Sequence, residues 1–263
     1  MSRESLLIVA ALVLCTSCGG DSSTGGEVIR LGGQDMTTVA TDMGLSDAQV
    51  EVDAAPDRQP DGGNASVEMT VRVVNPATGQ GFSGVTASGP RGDQLTDGAG
   101  RAVIAVPTGA YQVRLETNGA RGHTVWGVAA EDAFEQITYM SPEMITGFVF
   151  SSLGLSDDST KGILVVGLDT PRLAPAIGAE AAIDAEHGTP FVFAGRNPTM
   201  GRRIPMGGQG FVTFPNVNPG EVAITTTFPE GACRVFPAET DDKTVEVVAG
   251  EVTVIAFTCR EDG

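Results

Sequence analysis

Between Val67 and Cys259 the chain never sustains the apolar period of a helix. It runs in short stretches rich in Val, Ile, Phe and Thr, cut about every ten residues by Gly, Pro or Asn-Pro. Glu68–Val74 alternates and stops at Asn75-Pro76. Gly84–Ser88 follows, then the turn formers Thr96-Asp97-Gly98-Ala99-Gly100, then Arg101–Val106 and Tyr111–Glu116 split by Pro107-Thr108-Gly109. Thr124–Ala129, Phe134–Tyr139 and Thr146–Phe150 complete a first strand set. After the polar break Leu153–Thr160, a second set opens at Gly162–Leu168. It continues through Ala179–Ile183, Pro190–Phe193, Gly210–Phe214, Glu221–Thr227, Thr244–Val248 and Val252–Cys259. The two halves rhyme. A glycine turn, a strand, a Pro/Gly turn and a further strand recur at Gly100–Arg114 and Gly210–Ile224. The second half is longer by a Gly/Pro/Met/Arg segment, Ala194–Gly208, which reads as a loop. Short strands with frequent turns imply an all-β chain of two small β-sandwich units.

The 263 residues carry 33 acidic against 16 basic side chains, a net charge of −17. That balance excludes a basic nucleic-acid-binding face as the main surface. Much of the acidity lies ahead of the strands. From Gly19 to Ser66, nine carboxylates face two arginines among Gly, Ser, Thr and Pro, which reads as a flexible, solvated tether.

The first residues set the compartment. Arg3 is followed by an unbroken apolar run, Leu6–Leu14, far short of the ~20 residues a spanning helix needs. A cation, a short apolar run and small residues describe a secretory signal. Cys15-Thr16-Ser17-Cys18-Gly19 resembles the lipobox of bacterial lipoproteins, with Cys15 where leucine is usual. The resemblance implies cleavage before Cys18, diacylation of its sulfur and attachment to a membrane. Gly19 after the cysteine resembles outer-membrane sorting in Gram-negative bacteria. Ordinary secretion and a retained anchor are the alternatives. The chain thus divides into a signal peptide at 1–17, an acidic tether at 18–66 and β-sandwich units at 67–155 and 156–263.

Gly84-Val85, Thr96-Asp97, Gly100, Val106-Pro107, Gly109 and Tyr111-Gln112-Val113 together resemble the carboxypeptidase regulatory-like (transthyretin-like) β-sandwich module. The likeness covers Val67 to about Glu116; the second half has Glu221 where the family pattern has tyrosine. It implies an Ig-like or prealbumin-like sandwich in an accessory, non-catalytic role, and it carries over no catalytic residues.

Cys233 and Cys259 are the cysteines left in the mature chain. In an oxidising compartment they read as one disulfide, with two buried thiols as the alternative. Such a bridge closes a loop of about 26 residues, worth roughly 3.5 kcal/mol in the chain-entropy treatment. His123 and His187 lie in different halves without a second His or Cys nearby, so no metal or other cofactor is expected and both read as surface or turn residues. No nucleophile motif occurs, and no catalytic residue is assigned. Phe148/Phe150 and Phe191/Phe193 alternate as core positions. Trp126 is a candidate sugar platform, with core packing the commoner use of such a residue. Arg196, Arg202 and Arg203 concentrate cations beside Met200 and Met206 and are candidate contacts for an anionic partner. The expected partners are a membrane, through the lipid anchor, and an envelope protein or glycan. Nucleic acid is not among them.

Overall fold

The computed structural model describes residues 65–75, 79–195, 197–241 and 243–261. The expected signal, lipidated Cys18, the tether and Arg196 lie outside them. The first strands are β1 (Ser66–Val74), β2 (Thr86–Gly89), β3 (Gly92–Leu95), β4 (Arg101–Pro107), β5 (Gly109–Glu116), β6 (His123–Ala129) and β7 (Phe134–Tyr139). A helix, α1 (Glu143–Ser152), follows. Then come β8 (Gly162–Asp169), β9 (Glu180–Ile183), β10 (Phe191–Ala194), β11 (Asn197–Met200), β12 (Gly208–Val217), β13 (Gly220–Thr227), β14 (Gly231–Val235), β15 (Thr244–Val247) and β16 (Val252–Glu261).

The described residues are all-β apart from α1, and their halves repeat one topology. β1 lies antiparallel to β4 and parallel to β7; β8 lies antiparallel to β12 and parallel to β16. β5 is flanked by β2 and β6; β13 is flanked by β9 and β15. The rhyme in the sequence is therefore a rhyme in strand order. Alternation explains the first core. Met69, Val71 and Val73 of β1 and Ile104 and Val106 of β4 face Tyr111, Val113 and Leu115 of β5. The second core sets Leu164, Val166 and Leu168 against Val222, Ile224 and Phe257.

β8 reads GILVVGL rather than alternating because both its faces are covered. Ile163 and Val165 meet a third cluster, with Phe150 and Leu153 from α1 and its end and Phe191 and Val252 from the sheet. This corrects the expectation of a strand at Thr146–Phe150. The segment starts after Pro142 with Glu143 in its first turn, where a carboxylate suits the helix dipole. It stops at Gly154, in left-handed backbone, where the Leu155 and Gly154 N–H groups donate to Phe150 O (2.9 Å) and Ser151 O (3.0 Å), a Schellman closure. Phe150 is buried as expected, but on the helix Phe148 turns outward and is 73% exposed.

The expected loop at 194–208 also holds a strand. β11 pairs with β10 from Phe191↔Met200 to Ala194↔Asn197, and Pro198 is tolerated because β11 is an edge. β14, with no counterpart in the first repeat, places Cys233 opposite Cys259 of β16, and the two form the disulfide.

The repeats are not separate sheets. β16 pairs in parallel with β6, Val252↔His123 to Ile255↔Trp126, so one sheet runs β11-β10-β12-β8-β16-β6-β5-β2-β3, with β14 on the remaining edge of β16.

Gly100 has φ +77°, and a Cβ there would sit 2.2 Å from the Val73 carbonyl oxygen; Gly98, in the same turn, has open space. Gly100→Ala is expected to cost about 3 kcal/mol or more in urea unfolding, whereas Gly98→Ala stays within about 1 kcal/mol. Equal losses would contradict the turn geometry.

Candidate functional site

A cluster of bonded polar side chains stands where β6 meets β16. Glu251 stands just ahead of β16, largely covered, and two partners hold its carboxylate. Arg114 Nη2 of β5 lies 2.6 Å from Oε1, and the buried Thr124 hydroxyl of β6 donates to Oε2 at 3.0 Å. Arg114 also meets Glu116 at 2.9 Å. An open polar cleft of about 470 Å³ lies over this group, walled by Thr86, Glu116, Asn118 and Gly122 as well as Arg114 and Glu251. Its chemistry is two carboxylates, one guanidinium and hydrogen-bonding side chains, suited to a hydroxyl-rich or amine-bearing ligand.

Beneath the cleft, His123 is buried, not on the surface as its isolation in the sequence suggested. In the sheet it lies between Val252 of β16 and Leu115 of β5. Its Nδ1 lies 2.9 Å from the Arg121 carbonyl oxygen, and burial pulls its pKa down to about 4. Arg121 itself is nearly buried and pairs with Asp157 beyond α1. Tyr111 Oη donates to Gln136 Oε1 in the first core, and burial raises the phenol's pKa.

Trp126 packs against the second core from the first repeat. It also borders a small cavity of about 80 Å³ with Val128, Val235 and Ile255, and its indole N–H has no partner. Its place is in the seam between repeats. Arg202 and Arg203 lie elsewhere, on the segment beside β9, where both engage Glu180. Arg203 Nε is 2.6 Å from Oε1 and Arg202 Nε 3.5 Å from Oε2. Met206 is exposed on the adjoining turn, while Met200 ends β11. The structure therefore brings together Arg202 and Arg203 but not Trp126. His187 packs edge-on against Phe214, its Nδ1 beside the Gly188 carbonyl. Among the described residues no three His, Cys, Asp or Glu side chains cluster as metal ligands.

Two groups escaped sequence reading. Glu251 is one acid among 33, and only the β6–β16 pairing reveals its partners. Asp169 ends β8, half-buried beside Gly210 and near Tyr139, which itself stacks on Phe211. Burial without a compensating cation lifts the Asp169 carboxyl to about 6.

No family model matches the chain, and no curated protein matches it. Among solved structures, the Bacillus anthracis TIE protein shares 15% identity at a TM-score of 0.25, over 74% of this chain and 34% of that one. The chain thus spans about a third of that protein's length. GBS52, the minor pilin of Streptococcus agalactiae, shares 11% identity at a TM-score of 0.25, over 75% of this chain and 98% of that one. The D312A form of BcpA, the major pilin subunit of Bacillus cereus, shares 10% at a TM-score of 0.25, over 74% and 100%.

His123 and Asp169 act on stability in opposite senses. The histidine pKa is depressed on folding, so its contribution is full above pH 6.5 and is lost as pH falls through about 4. The aspartate pKa is raised, so its contribution is full below pH 3.8 and is lost as pH rises through about 6. Each is worth about 3 kcal/mol, and they largely cancel between these limits. Asp169→Asn should be more stable than the parent by up to about 3 kcal/mol at pH 7.5 and no more stable near pH 4. Urea unfolding of both proteins across that range measures the difference; a constant gap would contradict the titration.

Proposed function

We propose that the chain is a lipid-anchored cell-envelope protein with a non-catalytic binding or structural role. Residues 1–17 are removed, Cys18 is acylated, the acidic stretch 18–66 acts as a tether, and β-sandwich units at 67–155 and 156–263 present a surface to another envelope component. In a Gram-negative cell the anchor lies in the outer membrane. The first unit is related to carboxypeptidase regulatory-like modules.

One observation carries the reading. The polar side chains of the junction — buried His123 and Thr124, largely covered Arg121 and Glu251, and the exposed Arg114 and Asp157 — are bonded to one another or to backbone and tie the repeats together. Joining two repeats in one sheet suits a body that holds binding surfaces at fixed spacing. The Cys233–Cys259 disulfide suits an oxidising compartment outside the cytoplasm.

The tagged full-length chain, purified from detergent-solubilised native membranes, is expected to retain a stoichiometric protein partner, and Cys18→Ser is expected to make the chain removable by a high-salt wash that leaves the parent in the membrane fraction. A solitary chain whose retention through that wash ignores Cys18 would overturn the reading.

A glycan-binding role is the second reading, favoured by the open polar cleft at Arg114, Glu116 and Glu251. Trp126 contributes little to it, since its ring packs against the second core. If glycan is the ligand, calorimetric titration with soluble peptidoglycan fragments should show binding that Arg114→Ala weakens about tenfold or more. No heat in the parent protein removes this reading.

A further inference from the structure

The second repeat ends in an apolar tip rimmed by cations. β8 and β12 are neighbours, and the loops that leave their shared end carry large side chains into water. After β8, the Thr170 N–H donates to Ala174 O and the Leu173 N–H to Thr170 O. That turn leaves Leu173 73% exposed at φ +56°. Before β12, the Gly208 N–H donates to Pro205 O and the turn raises Met206, which is 90% exposed. The two loops are laced by Gly178 N–H to Ile204 O (2.9 Å) and Ile204 N–H to Ala179 O (2.8 Å), with Ile177 exposed beside the lacing.

Leucine is an unusual residue for left-handed backbone, where Asn or Gly fits without strain, and it is costly to leave in water. Here it has both disadvantages, and Met206 shares the second. Arg172 is exposed and makes no ion pair among the described residues, while Arg202 and Arg203 share the single carboxylate of Glu180. With Asp169 at the base of the first loop, these five charged groups still leave a net positive charge on a chain of −17.

We propose that this tip docks on an anionic lipid surface, with Leu173, Ile177 and Met206 entering the boundary between headgroups and acyl chains and Arg172, Arg202 and Arg203 meeting phosphates. The proposal deepens, and rests on, the envelope reading above. The apolar side chains are aliphatic and sit on turn tips, which suits insertion into a soft interface. A phosphate-bearing glycan would use the arginines and leave the aliphatic tips idle. The acidic remainder of the chain does not forbid approach, because charges more than about 8 Å away are screened at physiological salt.

The test is flotation of full-length Cys18→Ser, which cannot be acylated there, with vesicles of phosphatidylcholine and phosphatidylglycerol in equal parts and with phosphatidylcholine alone. Co-flotation with the anionic vesicles is expected. It should weaken about tenfold or more in Leu173→Asn/Met206→Ser, and likewise in Arg172→Ala/Arg202→Ala/Arg203→Ala, both with unchanged circular dichroism. Leu173→Asn keeps a residue that accepts left-handed backbone, so lost flotation does not report a broken turn. Equal flotation on neutral vesicles, no flotation, or variants that float like the parent would each overturn the proposal. Vesicles left unbound while the arginine variant loses a protein partner would assign the tip to protein contact instead. The envelope reading fails separately: the mass of the mature wild-type N-terminus reports acylation of Cys18 whatever the tip does.

Discussion

The parallel pairing of β6 with β16 is the constraint on which the rest of the structure depends. β16 is bonded to β8 along one side, while its other side is divided between β6 at Val252–Ile255 and β14 at Phe257–Glu261. That division leaves no open edge in the middle of the molecule, where an unpaired strand would invite other chains. It also fixes what stands nearby. Glu251 is delivered to Arg114 and Thr124, His123 comes opposite Val252, and Cys259 comes opposite Cys233. Parallel strands are stable when both faces are covered, and α1 supplies cover on the outer side of β8 and β16.

The same architecture gives equivalent glycines different duties. Gly100 immediately precedes β4, and Gly210 lies near the start of the matching strand β12. Gly100 answers a backbone need, with positive φ and the Val73 carbonyl against it. Gly210 answers a side-chain need, since a Cβ there would fall 2.2 Å from the Asp169 carboxylate. Asp169 is thus close-packed without a cation, which is why it resists ionisation. His123, buried where β6 pairs with β16, resists it for the same physical reason, with the opposite sign of charge.

Much of the fold was legible in the sequence because alternation and turn chemistry are local. The Gly100 turn, the positive-φ glycines Gly109 and Gly220 and the alternating β5 all act within a few residues of themselves, whereas Gly210, expected in a turn, lies inside β12, and the turn stands ahead of it at Met206-Gly207. The helix was not legible for the opposite reason. EMITGFVFSS has β-branched and aromatic residues and an internal glycine, a poor helix by propensity, and Phe148/Phe150 alternate as a strand would. Tertiary contact decides it: Phe150 and Leu155 dock together in the third cluster, closing the helix at Gly154. That glycine stood in plain view within a segment read only as a polar break. The site was less legible still. Arg202 and Arg203 were visible as a cation cluster, but their shared Glu180 lies more than twenty residues away. Arg114 and Glu251 are 137 residues apart and meet only because β6 and β16 pair.

Native-state hydrogen exchange resolved to individual amides of β6 and β16 tests the central claim most directly. If the junction holds the repeats as one body, the hydrogen-bonded amides at 123–126 and 252–258 exchange as slowly as those of β1 and β8 in the two cores. Fast exchange at 123–126 while both cores stay protected would mean that the repeats are independent domains that merely touch.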